Sequence, residues 1–345
     1  MANLPKRKIL PFFIPMEGCP NACIFCDQRA ISGEKASPLL KQIEEQIAAL
    51  PADFGGEIAF YGGSFSMLPP SRQQQYLNTA AAALDYGKLS LIRISTRPDG
   101  VDSDELDFLA AGGVKTIELG IQSFDDDVLK RSNRGYSAEQ ATDACKRIKD
   151  RGFNLGIQLM TGLPGDNRQK SLASIWQSRG LAADMVRIYP TVVLQNTPLA
   201  TMYQRGEYRP QTLDEAVTLC RDMAAVCIDA EIALIRLGLN PSTSTAAAVI
   251  DGPYHPAFGH LVYSALKLQQ MEMAIARGGR ANQLFYPPAD AALVSGQNGD
   301  NRNLLQQKYP QLRLLSDKYL QLGAVATAGT IYNYRQFISD FLAEE

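Results

Sequence analysis

With 345 residues the chain has room for one large or two ordinary domains, and 46% hydrophobic against 20% charged residues is ordinary globular composition with material for a large core. A formal charge of -2 gives no global drive toward nucleic acid, and Lys6-Arg7-Lys8 is too short to argue for a local one. No run approaches the roughly 18 apolar residues needed to cross a bilayer, and residues 1–10 lack the apolar segment of a secretion signal, so a cytoplasmic location without a membrane partner is expected.

In chain order, short apolar runs alternate with longer amphipathic ones, the pattern of parallel strands joined by crossover helices. Strands are predicted near 8–15, 57–61, 89–95, 114–119, 153–160 and 184–189. Helices are predicted near 37–49, 70–85, 102–111, 125–131, 137–151 and 167–181, which makes six β/α units. Ser137-Ala-Glu-Gln140 reads as a capping box, and Gly152 and the Gly112-Gly113 pair as helix stops. Beyond Tyr189-Pro190, a turn-rich stretch leads to a long helix near 212–229 and a further apolar strand over 232–237. Polar and small residues after Gly238 mark a boundary, dividing the chain into 1–237 and a small mixed α+β extension over 238–345. In that extension helices are predicted near 260–277 and 300–308, and strands near 283–286, 311–315 and 321–325. Whether such a parallel array closes into a barrel or spreads into an open sheet, ligands gather at the carboxyl ends of the strands.

Three of the six cysteines fall within eight residues, Cys19-Pro-Asn-Ala-Cys23-Ile-Phe-Cys26, just after the first strand. Thiolates are the usual ligands of iron-sulfur clusters, and a four-iron cubane held by three of them leaves one iron open to a small molecule. A structural zinc site needs a fourth ligand, usually from a second Cys or His pair, and the scattered Cys145, Cys220, Cys227, His255 and His260 provide none. A disulfide framework belongs to shorter, cysteine-dense chains. Cys220 and Cys227, seven apart, share one helix face as core residues do.

This cysteine spacing, with Phe25 before the last ligand, resembles the radical S-adenosylmethionine (SAM) superfamily. The resemblance implies an α/β fold, a partial (β/α)6 barrel with Cys19, Cys23 and Cys26 on a 4Fe-4S cluster whose open iron is chelated by SAM. It further implies reductive cleavage to a 5'-deoxyadenosyl radical, fed by a low-potential donor of flavodoxin or ferredoxin type. Other motifs then fall at the strand ends. Tyr61-Gly62-Gly63-Ser64 matches the segment that holds the amino group of SAM; Ser64 replaces the usual acidic or threonine residue, leaving more to the Tyr61 and Gly62 carbonyls. Taken alone, the two glycines read as a turn. Ser95 and Arg97 match positions facing the ribose or the methionine carboxylate, Gln122 and Ser123 the ribose, and Arg134 the carboxylate. Met160 to Gly165, with Leu163, match the bed of adenine. The structural alternative for Arg97 is a buried ion pair with Glu118 that orders the barrel. Gln158 bonds substrate, cofactor or a neighbouring strand, and Tyr189 relays a proton or electron or simply packs.

Thr96-Arg97-Pro98-Asp99, Glu118 to Ser123, Asn133-Arg134-Gly135, Leu163-Pro164 and Tyr189-Pro190-Thr191 together look like the radical domain of the Elongator catalytic subunit, over about residues 9–237. That resemblance implies tRNA as a candidate substrate, with Arg205, Arg209, Arg221, Arg236, Tyr203 and Tyr208 as candidate contacts. The acetyltransferase and zinc parts of that subunit are not recognisable here. A coproporphyrinogen-oxidase-like or heme-handling protein and a non-catalytic cluster protein that binds SAM are the alternatives. His255, in Gly252-Pro-Tyr-His-Pro-Ala-Phe258, is either a turn residue or an acid-base group brought to the barrel's open side by the extension.

Overall fold

The computed structural model describes residues 8–20, 22–34, 36–85, 87–278, 282–327 and 329–344; Lys6, Arg7 and Asn21 lie outside them. Seven strands pair in the order of the chain: β1 (Ile9–Ile14), β2 (Gly56–Gly62), β3 (Leu89–Thr96), β4 (Val114–Gln122), β5 (Asn154–Thr161), β6 (Met185–Pro190) and, past the two-residue β7 (Val193–Leu194), β8 (Ala233–Leu237). All six junctions are parallel. The crossovers carry α1 (Gln28–Ser32) and α2 (Leu40–Ala48), α3 (Pro70–Asp85), α4 (Ser103–Ala111), α5 (Asp126–Arg131) and α6 (Ala138–Asp150), α7 (Arg168–Gly180), and α8 (Pro198–Gln204) with α9 (Leu213–Asp229). Strand order never reverses, so the sheet is a curled half-barrel running from β1 to β8 rather than a doubly wound sheet.

Alternation along the strands separates two environments. Ile58, Phe60, Ile92, Ile94, Ile117, Leu119, Ile157, Leu159, Val186 and Ile188 are buried in the core between sheet and helices, each contributing about 1.5–3 kcal/mol by leaving water. The opposite parity is polar and charged. Arg93 Nε donates to Glu57 Oε2 at 2.7 Å, and its Nη1 donates to Glu118 Oε1, also at 2.7 Å. Arg187 reaches the same carboxylate, with Nε 2.6 Å from Oε2, and donates from Nη2 to the Tyr61 hydroxyl at 2.8 Å. Glu118 therefore pairs with Arg93 and Arg187. The Glu118–Arg97 pair, the structural alternative for Arg97, does not form, because Arg97 lies past the end of β3 and its fork closes on Asp99 with two bonds of 2.9 Å.

Helix ends follow local chemistry. Ser137 and Gln140 form the capping box at the start of α6, and the left-handed Gly152 follows its end. At α4 the N-cap is Asp102, which accepts from Glu105 N at 2.9 Å. Burial first, then the neighbouring Asp102, push the Glu105 carboxyl up to about 7. The folded state then keeps a proton that the unfolded chain has lost, so stability falls as pH rises from about 4.5 to about 7. Glu105→Gln is expected to match wild type near pH 4 and to exceed it above pH 7.5, by about 1 kcal/mol because solvent screens this partly exposed group. Urea midpoints at the two pH values check this, and an equal offset at both excludes titration as the cause.

Beyond β8, α10 (Thr243–Ala248) rests against α1, where Thr245 Oγ1 donates to Ile31 O at 3.3 Å, and β9 (Val249–Asp251) pairs with β7. α11 (Phe258–Arg277) packs on α9 and β8. A four-stranded sheet follows, built from β10 (Gln283–Tyr286), β11 (Arg313–Ser316), β12 (Val325–Thr327) and β13 (Thr330–Tyr332) in the order β11-β10-β12-β13, with α12 (Ala291–Ser295) and α13 (Asp300–Lys308) between its strands. A last helix, α14 (Tyr334–Glu344), not anticipated from sequence, also lies on α9. The strand expected over 321–325 starts at Val325, because 321–324 turn through a left-handed Gly323. Buried Lys267 ties this part together, its Nζ donating to Asp290 Oδ2 at 2.9 Å, Gln270 Oε1 at 2.8 Å and Gly323 O at 3.1 Å. Among the described residues no helix is long and apolar enough to cross a membrane.

Candidate active site

The cysteine loop leaves the carboxyl end of β1 and is held from three sides. Gly63 N donates to Ile14 O at 2.8 Å and Ser64 N to Glu17 O at 2.9 Å, continuing the β1–β2 pairing past both strand ends. From the turn after α5, Asn133 Nδ2 donates to Ala22 O at 2.8 Å, and Ile24 N donates to Ser132 O at 3.4 Å. At the start of α8, Leu199 N donates to Ile24 O at 2.9 Å. Asp27 then caps α1, accepting from Ala30 N at 3.0 Å.

The three thiols stand within one another's electrostatic reach. Burial, reinforced by Cys23 and Cys19, pushes Cys26 up to about 12; burial and Cys23 raise Cys19, while Arg97 and Arg134 pull it back. Metal loading therefore has to displace protons. Among the described residues no three His, Cys, Asp or Glu side chains converge as they would around a single metal ion. Cys145, Cys220 and Cys227 are buried elsewhere, their thiols pushed up to about 12 by burial.

Two arginines reach the loop from neighbouring strand ends. Arg134, 5% exposed, donates from Nη1 to Cys23 Sγ at 2.8 Å, from Nε to the Tyr136 hydroxyl at 2.8 Å and from Nη2 to Gly120 O. Arg97, 3% exposed, is fixed by Asp99 and donates from Nη2 to Arg134 O, but its buried Nη1 has no partner among the described residues. Both guanidiniums lie near the ring of Tyr136, that of Arg97 at 5.2 Å and that of Arg134 at 5.1 Å from its centre. Tyr136 directly follows the Asn133-Arg134-Gly135 motif, and no local pattern in the sequence singles it out.

The remaining expected residues divide. Gly62, with φ +92°, and Gly63 are small because the chain's own Ile14 to Glu17 passes against them: a Cβ on Gly63 would lie 1.9 Å from Glu17 O. Ser64 is buried, its hydroxyl 2.8 Å from Thr96 Oγ1 and accepting from Arg97 N at 3.3 Å, so it knots the β2 and β3 exits together. Tyr61 and Ser95 share the inner face, and Tyr61 belongs to the Glu118–Arg187 network. Gln122 is buried in a left-handed conformation, φ +71°, at a bulge in the β4–β5 pairing, and accepts from Gln158 Nε2 at 3.2 Å. Ser123 accepts from Asp125 N at 3.1 Å. Met160 is half-buried on the inner parity of β5, in register with Tyr189. Leu163 is buried and lines a cavity of about 460 Å³ with Arg131, Asp166, Tyr208 and Arg209. Phe25 is half-buried in the loop. His255 serves its turn, its Nδ1 accepting from Ala257 N at 3.1 Å.

Three of the arginines expected as tRNA contacts are engaged within the chain. Arg221 pairs with Asp222 and lies over the Phe341 ring of α14, Arg209 pairs with Glu215, and Arg236 bonds its own exit loop at Gly238 and Leu239. Tyr208 donates to Gly162 O at 2.6 Å.

The fold is an α/β half-barrel that brings a three-cysteine loop and two buried arginines to the carboxyl ends of its strands. Residues 13–173 match the Radical SAM superfamily and residues 183–268 the Radical_SAM C-terminal domain. The chain belongs to the Radical SAM superfamily. It is 33% identical over 228 residues to the uncharacterized protein MJ0486 of Methanocaldococcus jannaschii, covering 61% of this chain and 69% of that one. It is 28% identical over 196 residues to a tRNA uridine(34) acetyltransferase of Methanocaldococcus infernus, covering 56% of this chain but 36% of that protein. The chain thus spans about a third of that relative's length. The structure of archaeal Methanocaldococcus infernus Elp3 with an N-terminal deletion superposes with a TM-score of 0.61 at 22% identity over 75% of this chain and 62% of that one, which is a likeness of fold.

Proposed function

We propose that this chain is a radical SAM enzyme acting on a nucleoside of tRNA. The observation that carries the reading is the placement of three loop thiols beside a buried Arg97 Nη1 that has no partner among the described residues. Both features fit the implied groups: thiolates for the cluster, a cationic N–H for a carboxylate. A 4Fe-4S cluster and SAM held here would supply one-electron reductive cleavage of the sulfonium and radical hydrogen abstraction. The residues position and shield. Cys19, Cys23 and Cys26 hold the cluster. Arg97, braced by Asp99, takes the methionine carboxylate, a task for which Arg134 is too fully engaged. The backbone at Tyr61 to Gly63 serves the ammonium group, Gln122 the ribose, and Met160 and Leu163 the adenine. The tRNA part rests on the named activity of the Methanocaldococcus relative.

Anaerobic reconstitution, reduction with SAM and assay for 5'-deoxyadenosine test the reading against a Cys19→Ala/Cys23→Ala/Cys26→Ala variant. Product dependent on the cysteines is expected. A cluster that binds SAM but never cleaves it overturns the enzymatic reading in favour of a carrier, and heme retained through purification overturns the tRNA assignment.

A further inference from the structure

The mouth of the half-barrel contains a guanidinium aimed at a thiol instead of at open space. Arg134 Nη1 lies 2.8 Å from Cys23 Sγ. Its Nε is held by the Tyr136 hydroxyl, which in turn donates to Gly120 O at 2.8 Å and lies 3.0 Å from Ile121 O. Its backbone is fixed as well, with Arg134 N donating to Leu129 O at 3.0 Å just after the left-handed Asn133 and Arg97 Nη2 donating to Arg134 O. A buried, braced cation with an N–H on a ligand sulfur is a stationary charge beside that sulfur.

Resting on the cluster reading above, we propose that Arg134 sets the reduction potential of the cluster through its N–H bond to the Cys23 sulfur, and that it is a positioning residue for electron entry and not a contact to SAM. Reduction takes one electron from a low-potential donor and adds one negative charge, part of which falls on the ligand sulfurs. A fixed cation and a donated hydrogen bond stabilise the reduced form more than the oxidised form, and hydrogen bonds to sulfur and net charge are among the levers that set such potentials. Tyr136 matters because it holds the guanidinium in line, its hydroxyl anchored to the β4 backbone.

The test is an EPR-monitored redox titration of the reconstituted protein without SAM, comparing wild type with Arg134→Met and Arg134→Lys. Arg134→Met is expected to shift the reduction equilibrium at least tenfold toward the oxidised form, about 59 mV for one electron. Arg134→Lys, which keeps charge but loses the braced fork, is expected to shift it less. A value for Arg134→Met within twofold of wild type overturns the proposal. If Arg134→Met does not fold or load, the wild-type cluster decides alone: pulsed EPR of reduced protein grown with ¹⁵N-arginine should reveal a coupled ¹⁵N, and its absence overturns the proposal. Failure of wild type itself to assemble a reducible cluster sinks the radical SAM reading, a result separate from any effect of Arg134.

Discussion

Arg93→Met is expected to destabilise the protein by about 3–5 kcal/mol at neutral pH, the usual consequence of removing one partner of a buried ion pair. Arg93 is 3% exposed, Glu57 0% and Glu118 4%, so neither carboxylate can exchange the lost guanidinium for bulk water. Arg93 meets Glu57 through Nε and Nη2 and Glu118 through Nη1, so its loss removes charge-assisted contacts from two buried carboxylates at once, while Glu118 retains Arg187. Two consequences separate this account from a simple packing loss. A carboxyl left buried has its pKa raised, so the deficit is present above the unfolded value of about 4.3 and shrinks as pH falls toward it. Adding Glu57→Gln to Arg93→Met should recover part of the loss, because neighbouring members of one network are not additive. Urea unfolding of the two variants near pH 7.5 and near pH 4.5 reads both effects. A loss under 1 kcal/mol, or one unchanged by pH, rules out an uncompensated charge as its cause.

That network also marks the limit of what the sequence disclosed. The strand positions were legible because outward-facing residues such as Ile58, Phe60, Ile92 and Ile94 give short apolar runs, and the cysteine run was legible because its ligands are neighbours in sequence. The inner face carried a signal too: Glu57 and Tyr61, Arg93, Glu118, Gln158, and Arg187 and Tyr189 recur at one parity in five successive strands. A barrel filled by side chains ordinarily has branched apolar residues there. Pairing was harder to read, because which arginine meets Glu118 depends on strand register and on where β3 ends, and Arg97 lies one residue past that end. The Arg134–Cys23 contact spans 111 residues and depends on the turn after α5 folding back over the cysteine loop, which no local pattern encodes. α14 shows the opposite failure: Phe337, Ile338 and Phe341 have helical spacing, but their burial depends on α9, more than a hundred residues earlier.

Gly63→Ala is expected to abolish cluster loading while leaving most of the half-barrel folded. The added Cβ would lie 1.9 Å from Glu17 O and 2.9 Å from Ile14 O, both backbone atoms that cannot rotate aside. Relief requires the β1 exit to separate from the β2 exit, breaking the bonds from Gly63 N to Ile14 O and from Ser64 N to Glu17 O. Glu17 is also tied to Ser37 Oγ at 2.6 Å and to Arg72 Nη1 at 2.9 Å, so its displacement pulls on α3 and on the approach to α2. Cys19 stands two residues farther along this same strand exit, and the left-handed Gly18 before it has no slack, since a Cβ there would lie 2.1 Å from Ser64 O. Overpacking of this kind costs about 1–3 kcal/mol, less than a domain's total stability, so loss of site geometry should precede loss of fold. Iron per chain after anaerobic reconstitution, compared with the urea midpoint, measures the two separately. Gly180→Ala is the control, because nothing lies within 4 Å of the added Cβ, and it should load iron as wild type does. A Gly63→Ala protein with wild-type iron content would mean that the β1–β2 exit contact does not position the cysteine loop.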